Sequence, residues 1–283
     1  MLERGEVVKK NERVLTEKEF LKQYNVSEFE RPSTTVDNLL LAIDEVENND
    51  IRKLNEKRLQ VLLVKREEHP YIDMWNLPGT FVRLNETLKQ ASIRCLEVKT
   101  HLKDIYLEQL YTFDDINRDP RTRVLSIAHM GLVDKKSTII KNDSENTAWF
   151  TLKTSNISLD GICEIILDNE NGTVIKTKVK ADNNNITILE AGNLAFDHAK
   201  IIFYGLTRMR NKLEYTDIAF SMLGEQFTMA ELQQVYEVIL DKKLTKANFQ
   251  RKIKDKVQIL NKYKTGGYRP AKLYKYRGDE NVR

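Results

Sequence analysis

Trp75-Asn76-Leu77-Pro78-Gly79, then Glu86-Thr87-Leu88, then Ala91, Arg94 and Leu96 form the stretch that decides the fold. Pro78 fixes its own backbone and Gly79 frees the next, so the stretch begins as a tight turn. From Thr87 to Leu102, the apolar residues Leu88, Ala91, Cys95, Val98 and Leu102 recur at the spacing of one helical face, which predicts a helix after the turn. Glu97 stands two residues from Cys95 and so points about 200° away round that helix.

Outward from this centre the periodicity changes. Asn38–Ile43 and Leu59–Val64 are short apolar runs that predict two neighbouring buried strands, the second ending in Lys65-Arg66. Arg123–Val133 predicts a further long strand. Residues 155–193 have the pattern of an inserted surface β-hairpin, because Ile162–Leu167 and Thr173–Val179 flank a turn containing Asn171-Gly172. Ala199–Arg210 predicts a connecting helix. Ahead of all this, residues 1–35 form a polar extension with a capping-box signal at Thr16 and Glu19.

From residue 211 the pattern is that of a second domain. Thr228-Met229-Ala230-Glu231 is another capping box, opening a helix with Leu232, Val235, Tyr236 and Ile239 on one face. After a turn at Asp241–Leu244, Thr245 is placed to cap a helix over Lys246–Val257. There Phe249 and Ile253 face the core while Lys246, Asn248, Arg251, Lys252 and Lys256 face solvent. Two strand-like pieces, Leu260–Tyr263 and Leu273–Tyr276, flank Gly266-Gly267, with Lys264 and Arg269 placed to meet phosphates. Capped helix, short turn, basic helix and basic glycine hairpin in this order are the parts of a winged helix.

Charge supports the division. The chain holds 46 Lys and Arg against 42 Asp and Glu, but residues 242–283 hold 14 against 3, leaving 32 against 39 for the remainder. A basic end on an acidic body suits a polyanionic partner. Length, 41% hydrophobic and 31% charged content fit a folded chain of two domains. No apolar run approaches a membrane span, and Met1–Glu6 lacks the basic-then-apolar order of a leader, so a cytoplasmic chain is expected. Cys95 and Cys163 are too far apart for metal-ligand spacing and are expected to be buried. His129 and His198 have no neighbouring nucleophile and receive no chemical role.

The Trp75–Leu96 stretch resembles the Nudix box, a loop–helix–loop that binds nucleoside-diphosphate compounds. Active members carry glutamates on one helix face that hold magnesium. Aligned on that box, this chain keeps Arg94 but has Cys95, Val98 and Lys99 at the glutamate positions, with Thr80, Arg83 and His101 as further departures. Cysteine and valine offer no hard oxygen, and an ammonium repels the metal. The segments Arg118–Val124, Ala148-Trp149-Phe150 (placed after a strand) and Leu194–His198, together with Lys212–Thr216, Ala219-Phe220 and Glu225–Thr228, resemble the NrtR type of Nudix-related regulator. That resemblance implies a sugar or sugar-nucleotide effector, typically ADP-ribose.

The expectation is an α+β protein, a Nudix-type mixed-sheet α/β/α sandwich followed by a winged helix-turn-helix domain. Its parts are an extension (1–35), an effector-sensing domain (36–198), a connecting helix (199–210) and a DNA-binding domain (211–283). Expected effector residues are Arg66, Arg83, Arg94, Arg118 and Arg121, since guanidinium pairs bidentately with phosphate, together with Glu86 of the box. Expected DNA contacts are Lys246, Asn248, Arg251, Lys252, Lys256, Lys264 and Arg269. The partners are double-stranded DNA and an ADP-ribose, nucleotide or sugar effector, with no membrane, no resident cofactor and a homodimer on a two-fold site. The alternatives are a magnesium-dependent Nudix hydrolase and a basic adaptor for RNA or another acidic partner.

Overall fold

The computed structural model describes residues 15–48, 55–100, 102, 105, 107–133, 135, 146–155, 157–182, 185–265 and 270–278. Residues 1–32 and 33–283 form two separate compact units. In the first, helix α1 (Glu17–Gln23) begins with the expected reciprocal cap. Thr16 Oγ1 accepts the Glu19 N–H at 3.3 Å, and Glu19 Oε2 accepts the Thr16 N–H at 2.9 Å.

The second unit is built on one mixed sheet. Its strands are β1 (Ser33–Val46), β2 (Glu56–Lys65), β3 (Trp75–Asn76), β4 (Gly79–Phe81), β5 (Leu107–Phe113), β6 (Val124–Val133), β7 (Thr147–Thr154), β8 (Ile162–Asp168), β9 (Val174–Asp182) and β10 (Asn185–Glu190). Their order is β10-β9-β8-β7-β2-β1-β6-β5, with β3 beside β2 and β4 beside β1. The two runs predicted as neighbours pair antiparallel, Leu41 opposite Val61, while β1 and β6 run parallel.

Burial on both faces explains the unbroken apolar run Leu39–Ile43 within β1. Leu40 and Leu62 point to helix α2 (Leu88–Thr100), where Leu96 waits; Leu39, Leu41, Val61 and Leu63 point the other way, to helix α3 (His198–Tyr215) with Ile201, Ile202, Leu206 and Met209. This period of two is what a sheet sandwiched between helices requires. Gly205 permits the close approach of α3, since a Cβ there would meet Leu39 Cδ2 at 2.0 Å.

Several expectations are corrected. Val98 is 70% exposed; the buried residues of α2 are Ala91, Ser92, Cys95, Leu96 and Thr100. Helix α3 runs five residues past Arg210, so its apolar face reaches Leu213. Ala148-Trp149-Phe150 lies within β7 rather than after a strand. The 155–193 segment is no detached hairpin. Its three strands continue the main sheet, and Cys163, Ile165, Leu167, Ile175 and Val179 are fully buried in the shared core.

The second domain comprises β11 (Phe227–Thr228), α4 (Met229–Leu240), α5 (Lys246–Ile253), β12 (Val257–Lys264) and β13 (Ala271–Tyr276), with the small sheet ordered β11-β13-β12. The Thr228–Glu231 capping box forms, and the expected face of α4 (Leu232, Val235, Tyr236, Ile239) is the buried one. Thr245 precedes α5 without a side-chain cap, and α5 stops at Ile253 rather than Val257, which begins β12. This domain shares the core of the large sheet. Polar clasps fix it there: Arg210 of α3 donates to Ile239 O at 2.9 Å and Thr154 Oγ1 at 2.7 Å, and Asp241 accepts from the Thr154 N–H at 3.0 Å. Among the described residues no helix is long and apolar enough to cross a membrane.

If strands β8 and β9 are core, Ile165→Ala costs about 2–5 kcal/mol of unfolding free energy, whereas truncating the exposed Leu159 changes it by less than about 0.5 kcal/mol. Urea unfolding of the two variants checks this, and equal small effects would place the segment outside the cooperative core.

Candidate functional site: a cationic cleft and a basic helix

The turn singled out by sequence is anchored from two sides. Pro78 O accepts from Asn38 N at 2.8 Å and from Asn38 Nδ2 at 3.0 Å, and Trp75 exchanges backbone bonds with Asn193 (3.0 Å) and Ala195 (2.8 Å). Gly79 then lies against Asp37 of β1, so closely that a Cβ would fall 2.1 Å from Asp37 Oδ1. Beside it opens a cavity of about 230 Å³ lined by Thr35, Asp37, Arg66, Asn76, Gly79, Thr80, Phe81, Lys99, Arg118, Asp119, Arg121, Phe196 and His198.

The floor is a buried charge network. Arg118, with 4% of its side chain exposed, donates to Asp197 Oδ1 at 2.7 Å and Oδ2 at 3.0 Å, and to Asp37 Oδ2 at 3.4 Å. Ser126 of β6 also donates to Asp37 Oδ2, at 2.5 Å. Burial opposes the charge on Arg118, but the two carboxylates outweigh it and raise its pKa. His198 Nδ1 accepts the Leu77 N–H at 2.8 Å, which leaves the proton on Nε2, facing Asp37 Oδ1 at 3.6 Å. Burial pushes His198 below the ordinary histidine range despite Asp37.

The rim is charged differently. Arg121 pairs with Asp119 at 2.8 Å, but among the described residues Arg66 donates to the carbonyls of Pro70 (2.6 Å) and Glu68 (3.2 Å) alone, and Lys99 to Gly79 O (2.7 Å) alone. Neither forms an ion pair within 4 Å among the described residues. Burial, then the neighbouring Arg121, lowers the Arg66 pKa, as expected for a cation short of counter-charge. Phe196 holds a left-handed φ of 54°, costly for a bulky residue, and its ring meets Tyr71 (4.8 Å) and the Arg66 guanidinium (4.9 Å).

Of the six expected effector residues, the structure brings Arg66, Arg118 and Arg121 together in the cleft. Arg83, Glu86 and Arg94 lie outside its lining and close the box loop. Glu86 accepts Arg94 at 2.9 and 2.5 Å and the Arg83 N–H at 2.8 Å, and the Arg94 contact chiefly draws its pKa down to about 2. Sequence reasoning missed Asp37, Asp197 and Lys99 as cleft residues. A lone acid in the buried run Val36–Ile43 was the available signal for Asp37.

Magnesium does not suit this donor set. At the three box positions Cys95 is buried, Val98 faces solvent and Lys99 points an ammonium into the cleft; among the described residues no three His, Cys, Asp or Glu gather as a metal would need.

On the second domain, Lys246, Asn248, Arg251 and Lys252 are exposed together along α5, Lys252 reaching to 5.9 Å from the Tyr236 ring. Lys256, expected to project freely, is instead half-buried against Asp217 at 2.7 Å. Lys264 pairs with Glu231, and that contact raises its pKa. Arg269 lies outside the described residues.

Two outcomes test this description. Arg118→Ala strands two buried carboxylates and costs about 3–5 kcal/mol in urea unfolding; a loss below about 1 kcal/mol would contradict the network. His198 and His129, both depressed chiefly by burial, stay neutral in the fold and take up protons on unfolding. Their contribution is therefore full above the unfolded pKa of about 6.5 and declines as pH falls below it. The urea midpoint drops across that window, and less so in His198→Asn.

The comparisons agree with both halves. A NUDIX domain model matches residues 50–160 and the NrtR DNA-binding winged helix domain model matches residues 219–276. Over 266 residues the chain is 29% identical to the ADPR responsive transcriptional repressor NtrR of Acinetobacter baylyi, covering 92% of this chain and 88% of that protein. Shewanella oneidensis NrtR, in its crystal structure with a 27mer DNA, is 26% identical with a TM-score of 0.58, over 86% of this chain and 93% of that one. A MutT/nudix family protein from Enterococcus faecalis is 25% identical with a TM-score of 0.69, over 93% and 94%. The chain thus joins a NUDIX domain to an NrtR DNA-binding winged helix, the architecture of the NrtR-type Nudix-related proteins.

Proposed function

We propose that this protein is a cytoplasmic transcription regulator that binds double-stranded DNA through α5 and the β12–β13 hairpin and senses ADP-ribose, or a related nucleotide or sugar, in the cationic cleft. The observation that carries this is the course of α3. Its first residue, His198, is bonded to the box turn in the cleft, and Asp197 before it holds Arg118; twelve residues on, Arg210 grips the end of α4 in the winged helix. One helix therefore touches both the cleft and the winged helix.

Arg66 and Arg121 supply charge-assisted bonds to a diphosphate, and Phe81 and Phe196 offer apolar faces beside them. About 230 Å³ is less than the ~300–1,000 Å³ usual for ligand pockets, so a nucleoside-diphosphate sugar extends beyond the cleft. The chain acts as a homodimer whose two α5 helices meet half-sites about one DNA turn apart. Effector binding shifts α3 and with it the spacing of those helices, which weakens DNA binding. The replaced box carboxylates favour binding without hydrolysis. The effector in the Acinetobacter baylyi relative's name is the reason to begin with ADP-ribose.

Fluorescence anisotropy with operator DNA tests the reading. ADP-ribose lowers DNA affinity roughly 5–150-fold, and DNA lowers ADP-ribose affinity by the same factor; cleft binding with no change in DNA affinity would exclude ADP-ribose as the effector. Arg251→Ala and Lys252→Ala each weaken binding, and a lost phosphate contact reduces the salt slope by about one. Measurable magnesium-dependent turnover of ADP-ribose would instead favour a hydrolase.

A further inference from the structure

We propose that Lys99 is the built-in cation of the cleft, occupying the role that a carboxylate-bound metal fills in a complete box, so that effector binding needs no magnesium. This rests on the reading of the cleft as a diphosphate site. Of the three residues at the box's glutamate positions, only Lys99 reaches the cavity; Cys95 is 2% exposed inside the core and Val98 is 70% exposed on the outside. The substitution has therefore converted one ligand position into a fixed positive charge and removed the other two from the site.

The ammonium is held and still has bonds to give. Lys99 Nζ donates to Gly79 O at 2.7 Å, which aims it across the turn, and an ammonium has three protons to donate. The two carboxylates that line the cavity are already committed, Asp37 to Arg118 and Ser126, Asp119 to Arg121. Lys99 and Arg66 are thus the two lining cations without an ion pair among the described residues, and a diphosphate diester carries two negative charges. The Gly79 carbonyl on the turn accepts the lysine's own proton. A divalent ion would find that oxygen contested, the lining carboxylates already paired, and a positive charge beside it.

Calorimetric titration of the full chain with ADP-ribose, in EDTA and in millimolar magnesium, decides the matter. The wild type binds with the same affinity in both to within about twofold. Lys99→Met loses about 10–100-fold in both buffers, the scale of a charged hydrogen bond, and Lys99→Arg recovers most of it. Thermal melting of each variant checks that the fold is kept. Wild-type affinity that rises tenfold with magnesium, or a folded Lys99→Met that binds like wild type, overturns the proposal. Inorganic pyrophosphate, titrated in EDTA, separates this idea from the choice of effector. If pyrophosphate binding depends on Lys99 while ADP-ribose does not bind, the effector reading fails and the lysine's role stands. If neither binds, both fall.

Discussion

The Arg118 guanidinium is the point from which the rest of the molecule is positioned. It is buried, and a buried cation is tolerable only when carboxylates and hydrogen bonds replace the water it has lost. Asp197 supplies a two-pronged partner and Asp37 a second, so the loop before β6, the centre of β1 and the start of α3 must meet at one place. Ser126 and His198 then complete Asp37. Because Asp197 immediately precedes α3, the same contacts set where that helix begins, and its 18 residues set where the winged helix stands.

This constraint was only partly visible in the sequence. The centres of β1 and β2 were legible because burial on both faces needs a mainly apolar run, Leu39–Ile43 and Val61–Val64, and α4 because Leu232, Val235, Tyr236 and Ile239 recur at helical spacing below a capping box. Residues 155–193 misled because a strand that extends a sheet and one in an isolated hairpin carry the same alternation; only the tertiary pairing of β7 with β8 distinguishes them. Val98 misled for a related reason. It fits the apolar stripe of α2, but Ser92 and Thr100 satisfy their hydroxyls internally, to His129 and to Leu96 O, and this lets the helix turn a polar edge inward and Val98 outward. At the site, arginine count found Arg66, Arg118 and Arg121 but could not separate them from Arg83 and Arg94, since ion pairing with Glu86 is a matter of loop geometry. Lys256 likewise has the right helical phase for DNA, yet α5 ends before it and Asp217 takes its charge.

Two kinds of cation result, and their division follows the fold. Arg118 is fully compensated and serves as structure; compensation is what permits its burial. Arg66 and Lys99 sit at the half-buried rim, where water still moderates the cost of leaving a charge without a counter-ion. An anion that binds there neutralises them without having to break an existing pair. Under the proposed function such an anion sits above a floor whose bonds run to Asp197 and His198 at the start of α3.

The energetic demand on that route is small. Couplings of about 1–3 kcal/mol suffice to change affinity several-fold to a hundredfold, less than the cost of disrupting the buried network itself. A ligand therefore need not break Arg118 from Asp197; it need only bias how the helix seats. The clasps at the far end of α3, Arg210 to Ile239 O and Asp241 to Thr154, are directional hydrogen bonds at the margin of a shared apolar core. Such bonds contribute on the order of 1 kcal/mol each, comparable with the coupling. A helix seated in a buried charge network at one end and in part-buried hydrogen bonds at the other joins the cleft to the winged helix, and any coupling it carries is the same read from either end.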